Sequence, residues 1–575
     1  MAYRWVYPKP QMGESVRELE QQLNVPLEIA HLLSLRGIHS FEEAKEFFRP
    51  ETQQLHDPFL MQDMEEAACR LSAAIRNCET VVIYGDYDVD GTTAVSLLYT
   101  FLHSFGITVD YYIPHRFKEG YGINPAGIEY AVEKSADLIV SVDCGITAIN
   151  EAEYAKENGI DLIICDHHTV GDQIPDALAV LDPKRPDCSY PFDGLSGAGV
   201  GFKLVQATVK KLGLPDTLPD QFLDLVAIST ASDIVPIVDE NRILMRRGLN
   251  LINSQPRLGI RMLLERISIP PKSVTTSTIV FSIGPRINAA GRMGDATAAV
   301  ELMISSDNAS ARRYAEELES INKRRRTTDS RTMNQALDML ESDYELEDLS
   351  AMVLHHPEWH LGVIGIVASR LVDAHYRPAI MLSTVEGKIK GSARSIKGFN
   401  IYEALKECED LLEQFGGHEF AAGLTMDRDN LDEFRQRINQ IADNRLFDND
   451  FTPELEIACD LDLSEIDLRF WKLLTLFEPF GPGNMRPIFV SHNVQIDRGP
   501  TIVGNGHLKM RIRQNGSAVF DCIGFNMHEY EPILRNNNGQ SVDVAYVLEE
   551  NHWNGKRTLQ MRLKDIHLEG KPAAV

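Results

Sequence analysis

The sequence predicts a multidomain α/β protein: two α/β units joined by a long helix, followed by a small β-barrel. Three observations carry this reading. First, the continuous apolar runs 81–84, 138–142 and 162–165 alternate with helix-compatible stretches such as 94–105 and 149–158, as buried parallel strands do. Second, the same punctuation returns at 351–354, 362–374 and 378–382, after a stretch from 297 to 340 without proline and with no glycine. Third, beyond residue 455 the helix signal fades into short β-type runs at 488–490, 508–513, 518–525, 542–548 and 558–563, separated by turn residues such as Gly504-Asn505-Gly506 and Gln514-Asn515-Gly516.

Taken in order, residues 1–75 read as a helical segment closed by Pro50 and a short tail, 76–296 as a doubly wound unit, 297–345 as a connecting helix, 346–454 as a second α/β unit and 455–575 as the barrel. Acidic stretches at 341–348 and 443–450 read as solvated linkers. The 575 residues carry a net charge of −27 with 43% hydrophobic and 25% charged residues, which excludes a disordered or collagen-like chain. No run of about 18 apolar residues predicts a membrane span. The N-terminus lacks a signal-peptide pattern, and eight scattered cysteines give neither a zinc ribbon nor a disulfide framework. A cytoplasmic protein is the expectation. The acidity argues at first against a nucleic-acid partner. However, residues 455–575 hold 13 Lys+Arg against 15 Asp+Glu, and residues 281–326 hold eight basic against six acidic residues.

The chemistry lies at the ends of the first three apolar runs. These end in Asp86-Tyr87-Asp88-Val89-Asp90-Gly91, in Asp143 and in Asp166-His167-His168. In an open α/β sheet the carboxyl ends of neighbouring strands meet at one crevice, so five aspartates and two histidines converge. Clustered buried carboxylates need counter-charge. Mixed carboxylate and imidazole donors suit manganese, with magnesium also compatible. Asp233, at the end of an apolar helix-like run, is a further candidate ligand. An EF-hand reading of Asp86 to Gly91 fails, because the twelfth position is Leu97 rather than glutamate. Two divalent ions at such a site support phosphoester hydrolysis, and no Walker-type loop points to nucleoside triphosphate.

These motifs resemble the DHH phosphoesterase superfamily. Within it the chain is similar to bacterial single-strand-specific DNA exonucleases through residues 36–38, 85–93, 113–116, 119–122, 197–200, 284–292 and 359–365. Residues 416–423, Gly-Gly-His-Glu-Phe-Ala-Ala-Gly, resemble the signature of the associated DHHA1 domain. The resemblance implies two metal ions, Mn2+ or Mg2+. Asp88 and Asp90 would each face one ion, with Asp143 bridging the two and His167 and Asp233 completing the ligands of the second ion. Asp86 would act as ligand or as a supporting partner. His168 would contact the scissile phosphate or protonate the leaving group, with Asp166 orienting the histidine pair. The implied activity is degradation of single-stranded DNA from its 5′ end to 5′-mononucleotides in recombination and mismatch repair. A monomer working with single-strand-binding protein and a helicase is the expected setting. Two other readings are a phosphodiesterase for short oligoribonucleotides or cyclic dinucleotides, and a DNA-binding scaffold without catalysis.

Candidate DNA contacts are Arg116, then Arg286, Asn288 and Arg292 in a glycine- and asparagine-containing loop, then Ser392 and Arg394, and then Gly417 and His418. Lys323 to Arg326 form a basic run on the long helix. In the barrel, His507 to Arg513 alternates basic and apolar residues. A strand there sets Lys509, Arg511 and Arg513 on one face and Leu508, Met510 and Ile512 on the other, as an oligonucleotide-binding OB-fold requires.

Overall fold

Local pattern and tertiary placement part company at the N-terminus. The structure, a computed structural model, describes residues 3–9, 13–270, 272–343, 349–514, 516–536, 539–553 and 556–568. A short strand, β1 (Arg4–Val6), precedes the expected helices and pairs in parallel with residues 454–456. Helices Glu14–Leu23, Leu27–Ser34 and Phe41–Phe48 follow, the last closed by a capping box of Ser40 and Glu43. Their apolar residues, including Leu19, Ile29 and Leu33, share a core with Phe470 of helix Leu468–Thr475 and with Phe489 and Tyr546 of the C-terminal barrel. Helix Met64–Asn77 instead buries Ala67, Leu71 and Ala74 against the first sheet. The segment expected as one N-terminal unit is therefore shared between two cores. Helical periodicity marks which face is buried but not against what.

The first sheet consists of β2 (Val81–Gly85), β3 (Val109–Tyr112), β4 (Leu138–Val142), β5 (Asp161–Cys165) and β6 (Ala179–Leu181), all parallel, in the order β3-β2-β4-β5-β6. β3 and β6 escape the sequence pattern because one is a half-buried edge strand and the other has three residues. The strand order reverses between β2 and β4, which opens a crevice above their carboxyl ends. Apolar layers cover both faces of the sheet.

The stretch 297–340 is not one helix. Thr297–Ile304 ends before Ser305, and Asn308–Asp343 starts afresh where Asp307 Oδ1 accepts the Ala309 and Ser310 N–H groups, both at 2.9 Å. The 36-residue helix buries Ala311, Ala315 and Leu318 in the first unit's core, and Met333, Ala336 and Leu340 against the second unit. It thereby fixes the two units to one another. Of the acidic stretch 341–348, residues 344–348 lie outside the described residues, and 341–343 are helical.

The second unit holds β7 (Met352–His355), β8 (Ala379–Val385), β9 (Lys388–Arg394), β10 (Gln414–His418) and β11 (Ala421–Met426) in the order β10-β11-β9-β8-β7. Only β7 and β8 run parallel. The stretch 443–450 is not purely a loop, because helix Leu431–Arg445 covers its start and a 3₁₀ turn, Asp448–Phe451, its end. β12 (Glu454–Glu456), the partner of β1, and β13 (Cys459–Asp460) lead into β14 (Phe489–Val503), β15 (His507–Arg513), β16 (Phe520–Gly524), β17 (Val542–Trp553) and β18 (Lys556–Leu568). The last five form a closed barrel, β14-β15-β16-β18-β17, sealed by the β14–β17 pairing.

Candidate active site

The loop after β2 folds back sharply. A Cβ on Gly91 would lie 2.4 Å from the Asp86 carbonyl oxygen, so only glycine fits there. Asp88 caps helix Val89–His103, its Oδ1 accepting from the Gly91 N–H at 3.1 Å. Asp90, in the first turn, is held on both oxygens. Gly197 and Ala198 N–H donate to it at 2.6 and 2.8 Å, and Ser229 Oγ donates at 2.7 Å. The first two donors belong to the N-terminal turn of helix Gly197–Leu212, whose positive end favours a carboxylate. Asp143 follows β4 with φ 61°, a left-handed conformation, and Gly197 lets the helix approach it, since a Cβ there would stand 2.6 Å from Asp143 Cβ.

His167, after β5, brings the loops together. Its Nε2 lies 3.2 Å from Asp143 Oδ1 and 3.6 Å from both Asp90 Oδ2 and Asp233 Oδ2. Three donor groups result: Asp86, Asp88 and Asp143; Asp90, His167 and Asp233; and Asp143, His167 and His168. Within each, the donor atoms lie within 4.8 Å of one another. Asp143 and His167 each belong to two of the three. Asp166 belongs to none of these groups and accepts from Ile146 N–H, His167 N–H, His168 N–H and, at 2.7 Å, from His168 Nδ1. Tyr121 Oη donates to the Asp143 carbonyl at 3.0 Å and lies 3.1 Å from His168 Nδ1. Lys184 Nζ donates to the His167 carbonyl.

The electrostatics match the geometry. Burial, and then the neighbouring aspartates, push Asp86 and Asp143 far above the usual carboxylate range; burial and Asp90 push Asp88 up, and Asp233 rises to about 8. Burial pushes His167 down. Asp166 moves the other way: its burial is outweighed by hydrogen bonds from His168 and backbone amides, so it stays below the usual range. Burial opposes the charge on His168, but the Asp166 partnership outweighs it and holds the imidazolium up at about 9. Asp86 Oδ1 and His167 Nδ1 are buried with no hydrogen-bond partner among the described residues. A group of carboxylates that cannot all ionise together, with unsatisfied buried polar atoms among them, fits divalent cations.

Beside the acidic groups lies a cleft of about 1000 Å³ between the two α/β units. Arg116, Arg292, Ser392, Arg394 and Gly417 all line it, together with Tyr87, Phe117, Arg331 and His360. Burial, then the charges of Arg116 and Arg394, lower Arg292 to about 10. Burial and Arg116 lower Arg394, whose Nη1 donates to Ser392 Oγ at 3.0 Å. Arg116 stacks 5.0 Å from the Tyr87 ring. Two glycines make the wall possible. A Cβ on Gly362 would meet the Arg292 carbonyl at 1.9 Å, and one on Gly365 would meet Ser392 Oγ at 2.9 Å and Arg394 Nη2 at 3.0 Å.

Four expectations change. Residues 284–293 form a helix, not a loop, and its two arginines face different partners. Arg286 is tied to Glu319 of the long helix at 2.5 Å and to the Ser282 carbonyl. Asn288 accepts the Val89 N–H at 3.1 Å and so braces the loop after β2 rather than facing the cleft. His418 is exposed at the end of β10, outside the cleft lining, whereas its neighbour Gly417 lines it. The barrel cations do alternate as expected, with Leu508, Met510 and Ile512 buried, yet Arg511 stands 3.2 Å from Asp521 and Arg513 4.0 Å from Asp497. Tyr121, His360 and Lys184 carry no role-specific sequence signal; the first two fall inside the stretches 119–122 and 359–365 that resemble the single-strand-specific exonucleases, while Lys184 is legible only from the fold.

Crevice and cleft define a DHH-type phosphoesterase. The DHH family N-terminal domain matches residues 80–230, the DHHA1 domain residues 348–444 and the RecJ OB domain residues 457–565. The chain is 40% identical over 565 residues to the single-stranded-DNA-specific exonuclease RecJ of Bacillus subtilis, covering 98% of this chain and 70% of that one. It is 32% identical to the enzyme of the same name from Escherichia coli, covering 97% and 99%. The crystal structure of Thermus thermophilus RecJ in complex with Mn2+ superposes with a TM-score of 0.83 at 31% identity, covering 100% of this chain and 80% of that one; its Mg2+ complex gives 0.77. The chain belongs to the RecJ family of single-stranded-DNA-specific exonucleases.

Proposed function

We propose that the protein is a metal-dependent exonuclease that trims single-stranded DNA from its 5′ end and releases 5′-mononucleotides. One observation carries this reading: an acidic crevice suited to two cations adjoins a cleft whose wall gathers Arg116, Arg292 and Arg394. Asp86, Asp88 and Asp143 would hold one ion, and Asp90, His167 and Asp233 the other, with Asp143 nearest both. Bound there, the ions supply an activated water and stabilise the charge developing in an in-line displacement at phosphorus.

The remaining work falls to side chains. Arg292, Arg394 and Ser392 would grip a terminal 5′-phosphate with charge-assisted hydrogen bonds, which lays the first phosphodiester over the acidic groups and gives the polarity. Asp166 keeps His168 protonated and turned toward the crevice, where it can donate a proton to the departing 3′-oxygen. The same reading extends to a cytoplasmic monomer acting in recombination and mismatch repair, on strands opened by a helicase and coated by single-strand-binding protein. Family membership supports that wider setting.

Single-stranded DNA labelled at either end, duplex DNA and a cyclic dinucleotide, each with Mn2+ or Mg2+, test the proposal. Release of 5′ label as mononucleotide before any 3′ label, and none with Asp143→Ala, is expected. Early 3′ label, or activity persisting in Asp143→Ala, overturns it. Preference for the cyclic dinucleotide favours the small-substrate reading, and no turnover of any substrate favours a scaffold.

A further inference from the structure

His167 belongs to two of the three donor groups, yet its ring lacks the usual support. A metal-ligating histidine ordinarily donates its other ring N–H to a carboxylate, a carbonyl or water, which fixes ring orientation and tautomer. Here Nε2 faces Asp90, Asp143 and Asp233. Nδ1, on the other side, is buried with no hydrogen-bond partner among the described residues. The His168 ring touches it from one side only, with centroids 4.6 Å apart at 59°.

The ring is therefore aimed by its backbone. Asp166 Oδ1 accepts the His167 N–H at 2.7 Å and the His168 N–H at 3.2 Å. The His167 carbonyl is the remaining handle, and the Lys184 ammonium holds it. Among the described residues this is the ammonium's one hydrogen bond, and it forms no ion pair. The acidic crevice lies close by, since the charge of Lys184 acts on both Asp233 and His167. The ammonium is nevertheless directed to a neutral carbonyl.

The turn that carries Lys184, just after β6, is rigid at its base. Pro183 fixes one backbone angle, and the buried Asp182 carboxyl accepts the Lys184 N–H at 2.8 Å. Arg185 then staples the turn. Its Nη1 donates to the Val180 carbonyl and to Asp63 Oδ2, each at 2.6 Å, while Nε and Nη2 grip Asp187 at 2.9 and 2.7 Å. A lysine stem is long and flexible, and an ordered base limits the entropy lost when its tip is fixed.

We propose that Lys184 is a positioning residue for the second ion: by holding the His167 carbonyl it aims the imidazole at the space between Asp90, Asp143 and Asp233. It does through the backbone what a hydrogen bond at Nδ1 would do for the ring. The proposal rests on the ligand set of the exonuclease reading and adds a residue outside that set.

Calorimetric titration of the full chain with Mn2+, in the absence of DNA, tests it. Lys184→Met is expected to weaken one Mn2+ binding step about 10-fold or more and to leave the other within about 3-fold, as loss of an outer partner of a metal ligand does. Lys184→Arg keeps a charged donor on a long stem and should restore the affinity. Because Lys184 is exposed, the metal-free melting temperature should not change. Equal or tighter Mn2+ binding in Lys184→Met overturns the proposal, since a lysine acting through charge alone repels the ion and its loss strengthens binding. So does a Lys184→Arg variant that binds no better than Lys184→Met. A metal-free melting temperature lowered by several degrees would make Lys184 a prop of the fold and also overturns the positioning role. A parent protein that takes up no Mn2+ overturns the ligand set itself.

Discussion

The acidic crevice and the arginine cleft beside it are built on opposite plans. The crevice gathers carboxylates from loops after parallel strands and fixes them with backbone: Asp90 between the Gly197 and Ala198 amides, Asp143 against the approach of Gly197, and Asp88 at a helix cap. The cleft draws its cations from four separate segments, Arg116 after β3, Arg292 on helix Gly284–Met293, Arg331 on the long helix and Arg394 on β9, brought together by domain packing. Burial raises Asp86, Asp88, Asp143 and Asp233 in one and lowers Arg292 and Arg394 in the other. Each half is strained by charges of one sign, and a different ligand relieves each: divalent cations in the crevice and phosphate in the cleft. Such sites trade stability for function, so relieving the charge by mutation should stabilise the protein while removing activity.

The largest effect is expected from Asp143→Asn. Loss of a carboxylate shared by two of the three donor groups should cut kcat by roughly 10³-fold or more, since metal assistance contributes several kcal/mol. Without metal, the same variant should melt about a few degrees higher than the parent in calorimetry, because a buried repulsion is removed. It should also lose most of the Mn2+-induced rise in Tm that the parent shows. A variant melting lower than the parent without metal would contradict the picture of a frustrated crevice.

Arg292→Ala tests the other half. Removing charge-assisted hydrogen bonds worth about 1.5–3 kcal/mol should lower kcat/KM on 5′-phosphorylated strands by roughly 10- to 150-fold, and on 5′-hydroxyl strands by much less. Equal losses on both ends would mean that Arg292 supports the fold rather than the phosphate. Arg286→Ala is the internal contrast. Its guanidinium is bound to Glu319, so the variant should keep the parent's preference between the two ends.

The joint between the regions is subtler. Asn288 braces the crevice loop from the same helix that carries Arg292. Asn288→Ala leaves the Val89 N–H without its partner, worth about 1 kcal/mol. It should lower kcat about 5-fold with little change in KM for the phosphorylated end. A KM effect of that size with unchanged kcat would return Asn288 to the DNA-contacting role its sequence context suggested.

These contrasts also show what the sequence could and could not disclose. The crevice was legible because β2, β4 and β5 are continuous apolar runs and topology obliges their ends to meet, so aspartates and histidines far apart in the chain could be placed together. The cleft was half legible. Arg116, Arg292, Ser392 and Arg394 have the right chemistry, but nothing local distinguishes Arg292 from Arg286, six residues earlier on one helix. The long helix decides, by placing Glu319 beside Arg286. Likewise, Ser305-Ser306-Asp307 hides a break between two helices that only the Asp307 cap reveals, and β1 finds its partner some 450 residues away. What escaped was fixed by tertiary partners.

The smallest effect concerns the barrel, where Arg511 and Arg513 sit beside acids and β15 lies outside both the crevice and the cleft. Replacing Lys509, Arg511 and Arg513 together with alanine should barely alter hydrolysis of a short strand at low salt. Each single-strand phosphate contact contributes about 0.7 to the slope of log K against log salt, so the triple variant should bind long strands with a slope shallower by about 2. Asp521 and Asp497 already occupy Arg511 and Arg513 in part. A slope change near 0.7 would therefore leave Lys509 as the one barrel cation that meets DNA. No change at all would make β15 a solvent-facing strand and leave recognition to the crevice and the cleft.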